Sequence, residues 1–567
     1  MEQELRRVYY DPELGVEACL FQGIDQGFPE HFHTYYVIGT MDRGSREVTI
    51  AGETLRLAPG ELVFFQPGEP HACRPVGEER LDWRGLHVPQ EVMERAAEAV
   101  TGRQFAPHFT PSVLPGSELT SLFREVWELA AGEIVAPHGL EELIDRIQAE
   151  QGITYAPQQR QAVELAATSQ VMLLTGGPGT GKTTSLRGVL ALFDALGLET
   201  ALAAPTGRAA KRLGELCGAE GTTIHRLLET QYDPHSGRLG FAKNSYAPLQ
   251  ADAVIVDETS MVDVPLMAAL LDALEGDCRL VLVGDPDQLP SVGPGNLFAD
   301  LIRSKVVPTV RLTEIFRQAA QSAIVRNAHQ VNQGVLPDLR ENRGDFFFLR
   351  RRDAQSAAET IVDLCRRRLP ENMGIPADQI QVLSPTRRRG TGTGVLNQAL
   401  QAALNPPDEN KGERRFGDWI FRAGDRVMQV KNNYDILWRE DGGTDSGMGM
   451  FNGDIGVIRE VDRECITVDF DGKVVEYSPD MLGELEPAFA VTVHKAQGSE
   501  YRAVILAALD GAPMLMTRGV LYTAITRAKE LFIIVGDDQA VERMVANNRQ
   551  TRRYSGLRAR LLFLKEK

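Results

Sequence analysis

The run Gly176-Gly177-Pro178-Gly179-Thr180-Gly181-Lys182-Thr183-Thr184 carries several chemistries in one short stretch. From Gly176 to Thr183 it fits the pattern GxxxxGK[ST] in full. Glycines at these positions let backbone N–H groups converge on an anion. Lys182 can then reach β- and γ-phosphates, and the Thr183 hydroxyl can bind Mg²⁺. A carboxylate pair, Asp257-Glu258, adds a second function. Asp257 can hold the cation, and Glu258 can position and deprotonate an attacking water. In Gly284-Asp285-Pro286-Asp287-Gln288-Leu289-Pro290, Gln288 stands where a γ-phosphate can be sensed. The chemistry these residues predict is hydrolysis of a nucleoside triphosphate.

Such residues work only if strands and helices bring them together. An apolar run over 171–174 predicts a buried strand before the phosphate loop, and 185–196 predicts a helix after it. Ala253-Val254-Ile255-Val256 predicts a second buried strand running into Asp257, and 279–283 a third running into Gly284. A helix is predicted over 139–152, apolar at Leu140, Leu143, Ile144 and Ile147 and ending at Gly152. Strands alternating with helices predict an open parallel sheet, whose ligands bind at the C-terminal strand edge.

The chain has 567 residues, enough for three to five domains. It is 43% hydrophobic and 25% charged, which excludes a disordered or fibrous chain. The net charge of −17 argues against a generic polyanion binder. That charge is uneven. Residues 1–140 hold 11 arginines, no lysine and 22 acidic residues, and the first lysine is Lys182. The six cysteines form no CxxC pair, which points to a reducing, cytoplasmic setting. The N-terminus shows no apolar signal segment, and no run of 18 apolar residues predicts a membrane span.

The acidic first piece is rich in short β-runs, over 35–39, 47–50, 54–57 and 61–66, with turns at Asp42-Arg43-Gly44, Ala51-Gly52 and Pro59-Gly60. This predicts a small β-barrel or sandwich. His31 and His33, followed by Pro67-Gly68-Glu69-Pro70-His71, resemble the cupin effector-binding domain of AraC-type regulators over residues 8–110. The resemblance implies a pocket for a small ligand. The three histidines could ligate a metal, or they could hold turns and line that pocket. Metal-binding cupins place a Glu soon after the second histidine, where this chain reads Tyr35-Tyr36-Val37-Ile38. The two helix-turn-helix units of the regulators are not legible. An amphipathic helix is predicted over 119–131, apolar at Leu122, Val126, Leu129 and Ala130.

The longer piece resembles superfamily 1 helicases of the RecD-type 5′-to-3′ branch over residues 140–565, with the motifs in family order. Ala204-Pro205-Thr206-Gly207-Arg208, Thr223-Ile224-His225-Arg226, Asp257–Met261 and 284–295 match in turn. Leu312–Gln318, Val493–Glu500 and Tyr522–Lys529 follow. The resemblance implies ATP and Mg²⁺ as cofactors. It implies that Gln159 reads adenine, that Arg317 and Arg527 face the nucleotide from a cleft between two RecA-like domains, and that Arg527 is the main finger. It further implies that Pro205, Thr206, Arg208, His225, Thr492 and His494 meet DNA. A hairpin between Arg226 and Ala251 would be the pin that splits duplex, or else a surface loop. The strands over 456–461 and 465–470 resemble the family's SH3-like insertion, with a disordered small-residue loop expected over 441–449. The arginine runs at 387–389, 350–352 and 366–368 could touch backbone phosphates or be solvated faces.

The expected fold class is therefore α/β: two RecA-like P-loop domains with an SH3-like β insertion, preceded by an all-β cupin barrel. The expected divisions are 1–115 cupin-like, 116–150 helical linker, 151–318 first RecA-like domain with a hairpin at 229–250, and 319–567 second RecA-like domain with the SH3-like insertion at 412–488. The expected partners are single-stranded DNA and duplex junctions, with no membrane and no nuclease constellation. In a different reading the cupin domain dominates and the ATPase is a switch in a ligand-responsive regulator. In another, RNA is the track.

Overall fold

The computed structural model describes the chain apart from residues 1–3, 12–13, 51, 78, 117, 132–136, 234–237, 277, 317–320, 341–343, 444, 510, 550–554 and 566–567. It divides into two compact units, Met1–Gln151 and Gly152–Lys567.

The first unit is built from two antiparallel sheets. One has the strand order Leu5–Asp11, Val16–Ile24, Leu81–Val88, Tyr36–Arg43, Leu62–Phe65, Val113–Leu114. The other has the order Phe28–His31, His71–Pro75, Arg46–Ile50, Glu53–Leu57. Alternating apolar residues from both sheets, among them Ile24, Val37, Met41, Val48, Leu57 and Val63, meet in one core. The helix Glu118–Ala130 covers the outer face of the larger sheet. It buries Phe123 and Trp127 there, so it is packed as part of the barrel. The Trp127 indole N–H donates to the carbonyls of Cys19 and Gly85, both at 3.2 Å. A second helix, Pro137–Gln151, closes the unit.

The second unit holds two parallel sheets. The first runs Gly221–Thr223, Thr200–Ala204, Ala253–Val256, Arg279–Gly284, Val171–Gly176, Thr309–Leu312. The second runs Phe346–Arg350, Ala528–Gly536, Tyr501–Ala508, Ile380–Ser384, Ala490–Thr492. Their central strands are continuous apolar runs because helices cover both faces. Between Ala203 and Asp257 the strands Thr230–Asp233 and Arg238–Phe241 pair as an antiparallel hairpin. A seven-stranded antiparallel sheet lies between Arg426 and Pro487 around its own core of Phe421, Val427, Ile458, Ile466, Val468, Val475 and Tyr477.

Over the described residues of 441–449 the expected disorder is not what forms. Ser446–Met450 is an edge strand paired with Asn433–Glu440. A glycine suits position 447 because the Trp438 ring lies across it, where a Cβ would stand 2.5 Å from the ring. Among the described residues, no helix is long and apolar enough to cross a membrane.

Trp127 ties a helix to a sheet by packing and by two hydrogen bonds. Trp127→Ala should cost about 3–5 kcal/mol of stability in the first unit. Calorimetry of the full chain should show it as a lowered transition, with the transition of the second unit unmoved.

Candidate functional site

The strand Val171–Gly176 ends at Gly176, and the chain turns through 177–181 into the helix Lys182–Ala195. The turn depends on its glycines. Gly179 and Gly181 have φ of 73° and 82°. A Cβ at Gly176 would stand 2.5 Å from the Thr180 hydroxyl. Lys182 donates to the carbonyls of Gly176 and Gly177, the latter at 3.1 Å. Gln159 is buried beside this turn; its amide donates to the Gly181 carbonyl (3.4 Å) and accepts from the Ala156 N–H (3.0 Å).

The strand Ala253–Val256, separated from it in the sheet by Arg279–Gly284, delivers Asp257 and Glu258 to the same edge. Asp257 accepts from the Glu258 N–H at 2.7 Å. Glu258 has a φ of 50°, a left-handed backbone that a non-glycine residue adopts only at a cost. Burial, then the adjacent Glu258, push the Asp257 carboxyl up to about 6, against the pull of Arg212 and Lys182. A bound cation would reverse that balance.

The strand Arg279–Gly284 delivers Asp285 and Gln288. Asp285 is buried, accepts from the Tyr522 hydroxyl at 2.7 Å, and is raised by desolvation. Tyr522 lies on the helix Arg518–Ile525 of the second RecA-like domain. Two more bonds cross the same seam: Leu289 N–H to Thr523 Oγ1 at 3.1 Å, and Gln497 Nε2 to the Leu289 carbonyl at 2.7 Å.

Arg527 follows that helix and is 2% exposed. It donates to Gln288 Oε1 at 3.0 Å and to the Ser499 carbonyl at 3.2 Å, and lies 3.6 Å from Glu258 Oε1. Its Nε finds no hydrogen-bond partner among the described residues. Lys182, Thr183, Thr184, Asp257, Glu258, Gln288 and Arg527 line one cavity of about 670 Å³ together with Gly177, Pro178, Gly179 and Gly181. Arg317 lies outside the described residues. The glycine cradle, the lysine, the paired carboxylates and the orphaned guanidinium N–H fit a nucleoside triphosphate with a divalent cation.

The residues expected to meet DNA are less concentrated. Pro205 precedes Thr206, which caps the helix Gly207–Cys217 by accepting from Ala209 N–H. Arg208 reaches the second domain, donating to Tyr501 OH at 3.2 Å and Ser499 Oγ at 3.4 Å. It also lines a 540 Å³ cleft with Lys211, Arg226, Phe451 and Lys473. His225 packs on Phe241 of the hairpin at 5.9 Å, and burial lowers its pKa. Thr492 caps the short helix Val493–Ala496 and lines a 640 Å³ cleft with Arg387, Arg388 and Trp419. His494 lines a 620 Å³ cleft with Pro290, Val292 and Arg549. Arg387 and Lys495 share Glu486. Arg350 pairs with Asp538, while Arg367 and Arg368 pair with Asp363, as solvated faces do.

Sequence reasoning gave no role to Tyr522, Thr523 or Gln497, although all lie inside motifs that it had located. It also missed His329, whose Nε2 stands 3.3 Å from the Pro178 carbonyl of the phosphate loop, and Arg212, paired with Glu500 at 2.6 Å. Neither carries a local spacing signal.

One parallel-sheet domain thus presents a phosphate loop, two carboxylates and a glutamine to an arginine from the next, the arrangement of tandem RecA-like P-loop domains. Residues 154–345 match the AAA domain family, 396–470 the ATP-dependent RecD-like DNA helicase SH3 domain, and 487–535 the UvrD-like helicase C-terminal domain. The chain is 36% identical over 395 residues to the ATP-dependent RecD2 DNA helicase of Deinococcus radiodurans, covering 70% of this chain and 51% of that protein. It therefore spans about half the length of that relative. It is 32% identical over 439 residues to the RecBCD enzyme subunit RecD of Mycolicibacterium smegmatis, covering 71% of this chain and 74% of that one. The chain belongs to the RecD family. Ahead of that region, residues 14–161 match the AraC-like ligand binding domain. The HTH-type transcriptional regulator YbfI of Bacillus subtilis is 38% identical over 151 residues, covering 25% of this chain and 55% of that protein.

With its folded-state pKa raised from 3.8 to about 6, Asp257 contributes stability that is fully present below the unfolded value and lost as pH rises through the folded one. Asp257→Asn should therefore stabilise the protein at about pH 7 by on the order of 1–3 kcal/mol. The gain should vanish by about pH 4, when paired denaturant titrations of wild type and variant are compared.

Proposed function

We propose that the chain is an ATP-dependent, Mg²⁺-requiring DNA helicase that translocates 5′-to-3′ on single-stranded DNA and opens duplex at junctions in repair or recombination. The observation that carries this reading is Arg527 of one RecA-like domain held against Glu258 and Gln288 of the other. The phosphate-loop N–H groups and Lys182 bind the phosphates, and Gln159, whose position beside the loop supports the reading, reads adenine. Thr183 and Asp257 hold Mg²⁺, which when bound offsets charge developing on the γ-phosphate. Glu258 orients the attacking water and takes its proton, Gln288 senses the γ-phosphate, and Arg527 stabilises the transferring group. Arg317 is assigned to the same task from its motif. Closure of the cleft around nucleotide and its opening after hydrolysis would move Arg208, Thr206, Pro205 and His225 relative to Thr492 and His494, and so step the chain along a strand. The RecD kinship supports the polarity and the DNA track. The cupin barrel is assigned a small effector, and the chain is expected to work in the cytoplasm.

Duplexes with 5′ or 3′ overhangs test activity and polarity together. Wild type should separate only the 5′-tailed duplex, and Lys182→Ala should separate neither; unwinding by Lys182→Ala would sink the reading. Stimulation of ATPase by single-stranded RNA rather than DNA would shift the track. Arg527→Ala should lower kcat by about 10³-fold with a nearly unchanged KM for ATP, as expected for charge stabilisation confined to the transition state.

A further inference from the structure

The helix Ala323–Gln333 belongs to the second RecA-like domain, and one side of it meets the phosphate loop of the first. Ile324, Ala328 and Val331 anchor the helix in the core of its own domain. His329 stands half-buried on another side, with Nε2 3.3 Å from the Pro178 carbonyl. A carbonyl only accepts, so Nε2 carries a proton and donates it. One turn further on, Asn332 donates to Asp287 at 2.7 Å. Residues three apart share a helix face. From that face one tie runs to the phosphate loop and the other to the loop that carries Gln288.

The ring approaches closely. A Cβ at Gly177 would stand 2.8 Å from His329 Cε1 and 3.4 Å from the Tyr522 hydroxyl. A larger residue at 177 would push the ring off Pro178. Proline has no N–H, so its carbonyl is the one backbone hydrogen-bonding group at that position. The Pro178–Gly179 peptide is trans, which sets the Gly179 N–H opposite the Pro178 C=O. A donor that fixes this carbonyl therefore fixes the Gly179 N–H as well, and Gly179 lines the 670 Å³ cavity. Packing alone does not account for a ring nitrogen aimed at a carbonyl across a residue that must be glycine.

We propose that His329 is a positioning residue for ATP, holding the Pro178–Gly179 peptide from the second domain in the orientation that a bound phosphate needs. The loop then has its binding shape only while the two RecA-like domains are together. His329 acts through the loop and does not itself touch the nucleotide. The inference rests on the reading of this cavity as the ATP site. A bond that serves bound substrate and transition state alike alters KM and leaves kcat in place.

The test measures kcat and KM for ATP in the full chain with single-stranded DNA present, and the Kd of a fluorescent ATP analogue. Thermal melting follows folding. His329→Phe keeps a ring and removes the donor, and His329→Asn keeps an amide that is too short to reach. Each should raise KM and Kd about five- to tenfold, with kcat within about twofold of wild type. His329→Gln places an amide nitrogen near the lost Nε2 and should bring both constants back to within about twofold of wild type. Wild-type KM and Kd in His329→Phe and His329→Asn would overturn the proposal, and so would equal impairment of the Asn and Gln variants. Lys182→Ala separates the two levels. If it binds the analogue as wild type does, the ATP-site reading falls and this inference with it. If it loses binding while His329→Asn keeps it, only this inference falls.

Discussion

A guanidinium taken out of water must find its partners inside the protein, and Arg527 finds them on two domains at once. Glu258 and Gln288 come from the first sheet, Ser499 from the second. Breaking such a buried set on one side leaves an uncompensated charge, at a cost of several kcal/mol. The relative position of the two RecA-like domains is therefore bound to the same residues that line the phosphate-loop cavity. Tyr522 on Asp285 and Gln497 on the Leu289 carbonyl extend that seam along the edge of the first sheet. Anything that draws Glu258 or Gln288 away from Arg527 changes how firmly the domains hold each other, which is the coupling the proposed motor would use.

The seam exists because of how parallel strands end. Val171–Gly176, Ala253–Val256 and Arg279–Gly284 lie side by side and stop at the same edge, so Lys182, Asp257 and Gln288 meet although they are far apart in sequence. Their apolar interiors fix the register rigidly. Their ends gather charge that the fold tolerates only at a cost: Asp257 and Asp285 are both pushed toward the protonated form by burial. Ligands of opposite charge repay that cost on arrival, so binding and stability are set by the same groups.

Much of this could be read from sequence, for a physical reason. Phosphate loops, buried strands and carboxylate pairs are local: Gly176–Thr184 and Ala253–Glu258 each carry their whole signal in a short stretch. The cupin strands were legible through Gly and Pro punctuation. Contacts made across the cleft were not. Tyr522 and Asp285, or His329 and Pro178, are separated by more than a hundred residues, and no periodicity links them. The edge strand Ser446–Met450 was misread because composition alone favours disorder there; the ring of Trp438 that packs on Gly447 comes from the partner strand. The division among separate clefts of the residues proposed to meet DNA was likewise invisible, since motif order says nothing about depth.

The left-handed backbone at Glu258 fixes more than one residue's energy. It aims the carboxylate by the main chain, so the first atoms of the side chain leave the strand in a direction that ordinary extended geometry would not give. From that starting direction the side-chain torsions bring the carboxylate to within 3.6 Å of Arg527. Glycine would relax the strain and asparagine would tolerate it, but neither would carry a proton acceptor to that point. A residue that the backbone disfavours thus stands where its carboxylate meets Arg527 across the cleft.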